Sequence, residues 1–262
     1  MKRAWQLVQC VVVVAIAFTA GCASLADREA IDALAPGGTL RVGLYPGTPT
    51  SIVGTAGTPD AKGVGYDLGI ALAARAGVKF EPVVFPRNAD VLAAATSGKV
   101  DMVFTNATPA RRAELAFSAT VFSVEQGYLV AANSPLRESA DVDRPGMRIG
   151  VSAGSSSQAF LTKELRNATI VRTDSLKDAL AMLADGRIDA FATNKPTLFE
   201  MSDELRGSRV LAGRYGVETF AIGLPKGRNA ALPFVDRFVE GARSDGTLRW
   251  IVERAGLRGA EL

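Results

Sequence analysis

The chain of 262 residues contains no histidine. That excludes a histidine-based nucleophile triad, an imidazole general base and the His-Glu-x-x-His zinc motif. Cysteine is confined to Cys10 and Cys22, so the body has neither a pair for a disulfide nor a thiol for nucleophilic catalysis. No glycine-rich loop ending in Lys-Ser or Lys-Thr is present to cradle a nucleotide phosphate. One-sided charge is also lacking: 30 basic residues face 27 acidic ones, and the excess falls to one when Lys2 and Arg3 are set aside. Such a near-neutral body offers no electrostatic footprint for nucleic acid. Long apolar runs are absent beyond Val11 to Phe18, which is too short for a comfortable membrane span. With Lys2 and Arg3 before it and Ala20-Gly21-Cys22 after it, this run has the charged, hydrophobic and cleavage regions of a secretory signal over residues 1–21.

What the chain does have is a globular composition, 48% apolar and 22% charged, sufficient for two lobes of roughly a hundred residues each. It also repeats itself. Gly98-Lys99-Val100-Asp101-x-x-x-Thr105-Asn106 recurs as Gly186-Arg187-Ile188-Asp189-x-x-x-Thr193-Asn194, 88 positions later. Each copy follows a stretch with matching apolar positions, Val91, Leu92 and Ala95 against Ala179, Leu180 and Leu183. Each reads as helix, tight turn, apolar strand and polar strand end, the place where open α/β sheets bind ligands. A second echo pairs Leu40-Arg41-Val42-Gly43 and Gly47-Thr48 with Met147-Arg148-Ile149-Gly150 and Gly154-Ser155. Two similar lobes with facing polar loops suggest a clamp.

Along the chain, a linker over 22–38 containing a helix from Leu25 to Leu34 precedes a first strand, Leu40 to Leu44. Ser51 to Gly63 reads as a loop over the cleft mouth. Strands and helices then alternate through Phe104, which predicts a largely parallel sheet. A short helix, Pro109 to Glu114, starts on proline. Gln126 to Ala132 is an apolar strand able to leave one lobe for the next, and the alternation repeats from Arg148 to Ala192, with Ser175 as an N-cap. Gly216 to Leu224 forms a second crossing, followed by two closing helices. The expected division is 39–126 with 217–262 as one lobe and 127–216 as the other, joined by a two-strand hinge.

These residues resemble the polar-amino-acid class of periplasmic solute-binding proteins (family 3), the capture subunits of ATP-driven importers. The resemblance runs from about Leu40 to Gly256. It is carried by Gly65-Tyr66-Asp67-Leu68, Ser97-Gly98-Lys99-Val100-Asp101, Thr108-Pro109-Ala110-Arg111 with Phe117-Ser118, Gly150-Val151 with Gly154-Ser155-Ser156, Gly186-Arg187-Ile188-Asp189-Ala190, and Ser244-Asp245-Gly246-Thr247. It implies an α/β fold of type II, two mixed, mostly parallel sheets closing as a two-lobed clamp. Thr19-Ala20-Gly21-Cys22 resembles a bacterial lipobox with Thr19 in place of the usual leucine. That resemblance implies a lipid anchor on Cys22 and a periplasmic, membrane-attached protein; ordinary cleavage after Ala23 or Ala26 is the alternative.

By the same resemblance Arg111 forms a bidentate pair with the ligand's α-carboxylate, a role suited to a planar guanidinium. Asn106 and Thr108 would offer hydrogen bonds from a loop about two residues shorter than in typical members. Ser155 and Ser156 would complete the carboxylate cradle at a helix N-terminus, or one of them would cap the helix. Tyr45 and Phe85 are candidate aromatic walls. The family's ammonium-binding aspartate is replaced by Asn194, which supplies no full charge. Either the ligand is a small anion without an α-ammonium, or another acid such as Glu218 provides the charge. A cyclohexadienyl dehydratase, built on the same fold, is the catalytic alternative, and a ligand sensor is a third. The favoured expectation is a monomeric binder, not an enzyme, that needs no cofactor or metal, takes a small anionic or zwitterionic solute and docks on an importer permease.

Overall fold

The computed structural model describes residues 25–262. The expected signal, 1–21, and Cys22 lie outside the described residues. The segment read as a linker carries α1 (Leu25–Leu34), whose Ala30 and Leu34 are buried in the main core, so it is packed onto the folded body. Residues Ala35 to Gly38 then lead into β1 (Thr39–Leu44).

The first half of the chain continues with α2 (Val64–Ala76), β2 (Lys79–Val84), α3 (Asn88–Thr96), β3 (Met102–Asn106) and α4 (Pro109–Glu114). Strand β4 (Leu115–Val130) crosses to the second half. There follow β5 (Arg148–Ser152), α5 (Ser156–Glu164), β6 (Thr169–Thr173), α6 (Leu176–Ala184), β7 (Ala190–Asn194), α7 (Lys195–Glu204) and β8 (Arg209–Val210). Strand β9 (Gly216–Pro225) crosses back, and α8 (Leu232–Ser244), α9 (Thr247–Arg254) and β10 (Ala260–Glu261) close the chain.

Hydrogen bonding runs in the order β2-β1-β3-β9-β4-β7-β5-β6, with β8 and β10 beside β4. Strands β2, β1 and β3 are parallel, as are β6, β5 and β7, and each trio ends on an antiparallel crossing strand. The two crossings, β4 and β9, pair with each other from Leu115 to Gln126, so the two halves share one continuous ladder through the hinge. The main core gathers α1, α2, β1, α8 and α9 around Leu34, Leu72, Phe122 and Ile222. The second lobe has its own clusters on the two faces of its sheet, centred on Ile149 and Phe191.

The repeated motif has a structural meaning. In the first lobe Asp101 accepts from the Arg41 backbone N–H at 2.8 Å, from its Nε at 2.8 Å and from its Nη2 at 2.6 Å, while Nη2 also reaches the Gly98 carbonyl. In the second lobe Asp189 accepts from the Arg148 backbone N–H at 2.8 Å, from Nε at 3.0 Å and from Nη2 at 2.8 Å, with Nη2 on the Gly186 carbonyl. Each aspartate thus clamps a guanidinium in the fork geometry that carboxylates favour. Each pins the turn after a helix to the neighbouring parallel strand. Gly98 and Gly186 sit at φ of 71° and 65°, a left-handed conformation that glycine reaches without steric cost.

Two elements depart from expectation. Strand β4 begins eleven residues before Gln126, because register shifts near Thr120 break the alternation that marks a strand. Helix α7 follows the second repeat directly, with Pro196 in its first turn. Among the described residues no helix is long and apolar enough to cross a membrane.

Candidate functional site

The polar strand ends and the loops facing them enclose a cavity between the lobes with about 700 Å³ of empty space, its mouth included. Of the residues expected there, Tyr45, Asn106, Arg111, Ser155, Ser156, Asn194 and Glu218 line it. Thr108 lines an adjoining cavity that shares Asn106, Ser156 and Glu218. Phe85 is not brought to either: just past the end of β2 it packs against the cluster around Val91 and Val103. Edge-strand β2 alternates between exposed and half-buried positions, and Phe85, which follows it, joins the α3 side of the first lobe's core.

Arg111 is positioned by α4. The Thr108 hydroxyl caps that helix by accepting from the Arg111 backbone N–H at 3.2 Å, which accounts for Thr108 structurally. The Arg111 guanidinium donates through Nη1 to the Thr105 hydroxyl at 2.7 Å and to the Asn106 carbonyl at 3.4 Å. Among the described residues its Nε and Nη2 make no hydrogen bond and no carboxylate pairs with it. Burial pushes its pKa down to about 10, opposed by the charge of Glu218. A desolvated guanidinium of this kind favours an anion brought from outside.

The serines divide their work. Ser155 caps α5, its hydroxyl accepting from the Gln158 N–H at 3.1 Å. Ser156 donates to Glu218 Oε1. That same oxygen accepts from Asn106 Nδ2 at 2.7 Å and from Gln126 Nε2 at 2.8 Å. One carboxylate oxygen on β9 therefore ties together β3 of the first lobe, the crossing strand β4 and α5 of the second. Burial raises the Glu218 pKa, while the Ser156 hydrogen bond and the charge of Arg111 oppose the rise.

Asn194 is the N-cap of α7. Its Oδ1 accepts from the Thr197 N–H at 3.1 Å and from the Thr197 hydroxyl at 2.9 Å. The Thr197 hydroxyl also meets that of Thr48 at 2.9 Å, which in turn meets Thr50 at 2.9 Å, a chain of hydroxyls running from one lobe to the other. Tyr45 crosses the cleft as well. Burial raises its pKa, opposed by hydrogen bonding from the Leu176 backbone and Ser152 on the opposite side. Lys195 points elsewhere, pairing with Glu125 at 2.6 Å.

Sequence reasoning missed Thr48, Thr105, Thr197 and Gln126. Thr48 had a signal, because the echo of Gly47-Thr48 in Gly154-Ser155 places it opposite a cradle serine. Thr105 lies inside the repeated motif itself. Gln126 is a polar residue entering an apolar strand, and is buried. Thr197 completes an Asn-x-x-Thr capping pattern.

Comparisons with known proteins identify the family and the fold. The chain is 27% identical to the L-cystine-binding protein TcyJ of Escherichia coli over 255 residues, 92% of each chain. It is 23% identical to the ABC transporter glutamine-binding protein GlnH of Bacillus subtilis over 164 residues, 60% of each. Among solved structures, an ancestral arginine-binding protein bound to glutamine superposes with a TM-score of 0.73 at 27% identity, covering 83% of this chain and 97% of that one. A receptor for L-cysteine of Neisseria gonorrhoeae shares the fold with a TM-score of 0.77 at 24% identity, covering 86% and 92%. Residues 40–256 match the model of the bacterial extracellular solute-binding proteins, family 3, and the chain belongs to that family.

Proposed function

We propose that this protein captures a small amino-acid-like carboxylate between its two lobes outside the cytoplasm and delivers it to the permease of an ABC importer. The observation that carries this reading is the Arg111 guanidinium: it lines the interlobe cavity, and among the described residues its Nε and Nη2 form no hydrogen bond. Two parallel N–H donors of that kind match the two oxygens of a carboxylate. The names of the relatives, which bind glutamine and cystine, support the substrate class.

Binding proceeds on this reading in two steps. The open clamp admits the solute and the first lobe takes its carboxylate on Arg111. Closure then brings the second lobe across, joined by the Thr48–Thr197 hydroxyl pair and by Ser156 on Glu218. Exclusion of water strengthens the charge pair, and the closed outline is what the permease reads. The moving units are 39–126 with 217–262 and 127–216. Cys22 carries a lipid that holds the monomer at the membrane surface. No covalent step is involved.

Calorimetric titration of wild type and Arg111→Ala with a panel of amino acids and keto acids tests this. Truncating a desolvated charge partner should weaken binding about 30-fold or more, with the fold intact by circular dichroism. Retained affinity in the variant refutes the role of Arg111. Turnover of prephenate or arogenate would make the protein an enzyme instead.

A further inference from the structure

We propose that Glu218 holds the ligand's ammonium in place of the acid missing at Asn194, and that the site therefore selects amino acids with uncharged side chains. This rests on the reading above that Arg111 takes the carboxylate.

The first observation is how the Glu218 carboxylate is used. All three of its protein donors, from Asn106, Gln126 and Ser156, converge on Oε1. Oε2 receives none. Yet among the described residues no fully buried side-chain nitrogen or oxygen is without a partner, so Oε2 is open to the cavity space that Glu218 lines. A carboxylate held rigidly by one oxygen and free on the other is set up to accept from a guest.

The second observation is the charge pattern. Among the described residues, Arg111 and Glu218 are the two charged side chains lining the main cavity, and they feel each other's charge without forming an ion pair. A zwitterion brings one partner for each and leaves the closed cavity neutral. A carboxylate without an amine would leave Glu218 unpaired in the same water-poor space, an arrangement that low dielectric penalises. Asn194 cannot take the ammonium, because its Oδ1 is already committed to the cap of α7.

The third observation concerns what remains. Once both charges are engaged, the other polar lining groups are hydroxyls and amides such as Thr48, Thr50, Asn88 and Thr193. They offer hydrogen bonds to a polar or small side chain. They offer no counter-charge to lysine, arginine, aspartate or glutamate, whose side chains would be desolvated without a partner.

The test is calorimetric titration of wild type and Glu218→Gln with L-alanine, L-valine, L-glutamine, L-arginine and L-glutamate. The same cells receive L-lactate and 2-hydroxyisovalerate, which replace the amine of alanine and valine with a hydroxyl, and the methyl esters of the amino acids. Glutamine at 218 keeps an oxygen for the three protein donors and removes the charge. A neutral amino acid should bind wild type best, with its hydroxy acid about 30-fold weaker or worse, and Glu218→Gln should lose a similar factor for the amino acid alone. Equal binding of amino and hydroxy acids by wild type overturns the proposal without needing the variant. So does undiminished amino-acid affinity in Glu218→Gln, or a preference for arginine or glutamate. Failure of the Arg111 reading looks different, since methyl esters would then bind as well as free acids. Silence across the whole panel overturns both.

Discussion

Asp101 and Asp189 hold matching places in the two lobes, yet replacing each with alanine should carry unequal costs. The Asp101 side chain is fully buried and serves Arg41 and Arg228 at once. Its removal leaves two guanidinium groups facing a site without a counter-charge, one of them only 16% exposed. Breaking a buried pair in this way costs about 3–5 kcal/mol. Asp189 is 28% exposed, its partner Arg148 is 42% exposed, and among the described residues no second arginine shares it. Water can replace that carboxylate, so the loss should fall to about 1–2 kcal/mol. A gap of roughly 2 kcal/mol between the variants corresponds to about 4–8 °C in Tm for a protein of this size. Differential scanning calorimetry of the ligand-free protein reads it. The pH dependence adds a second check. Burial pushes the Asp101 pKa up, but hydrogen bonds from Arg41, its backbone N–H and Arg228 outweigh it and hold the group below its ordinary value. Its contribution is therefore present above about pH 4 and lost as pH falls through the lower folded value. The Tm difference between wild type and Asp101→Ala should stay constant from neutrality to about pH 4 and shrink below it. Equal costs for the two alanine variants, or a difference that widens in acid, would refute the reasoning.

Thr197→Val keeps the shape of the side chain and removes a hydroxyl bonded to Thr48 and Asn194. Only the Thr48 bond spans the lobes, since the Asn194 bond lies within the second lobe and persists on opening; its loss from the closed form, about 1 kcal/mol, should weaken ligand binding about 2- to 10-fold without unfolding α7, whose backbone cap persists. Calorimetric titration beside a circular dichroism spectrum checks it, and unchanged affinity would show that the hydroxyl chain does not latch the lobes. Glu218 should also set a pH dependence of the opposite sign to Asp101. Its pKa is raised by burial, so the folded state holds its proton more tightly than the unfolded chain, and stability falls as pH rises from the unfolded value through the folded one. The ligand-free Glu218→Gln protein should therefore melt above wild type at pH 7, with the difference closing near pH 4. A variant that melts lower at pH 7 would mean that the Oε1 hydrogen bonds outweigh the desolvation of the charge.

Most of the fold was legible because it rests on local signals. Glycine turns, the α2 stop at Gly77 and the Ser175 cap are each written within a few residues of where they act. The repeat pointed to equivalent places in two lobes, and the aspartates of its turns proved to be structural clamps. What escaped was whatever depended on irregularity or distance. Register shifts near Thr120 hid the first half of β4, and α7 buries only Pro196, Thr197, Leu198 and Met201, too few apolar positions to show a helical period.

The site shows the same division more sharply. Arg111 and Glu218 could be named because charged residues in the right motif or crossing strand are few. Their uses could not, because partners lie far off in sequence: Glu218 is 112 residues from Asn106 and 62 from Ser156. Asn194 makes the point in full. From sequence it is a missing charge. In the structure its oxygen starts a helix and its cap partner Thr197 reaches the opposite lobe through Thr48. An aspartate there could cap α7 equally well, so capping alone does not explain the asparagine. What separates the two is net charge in the cavity that Glu218 also lines, where among the described residues this desolvated group supplies the one carboxylate. A second carboxylate would compete with Glu218 for the same guest and repel it in its absence. On this reading Asn194 and Glu218 are a matched pair: the neutral cap is what permits the acid to sit on the hinge strand.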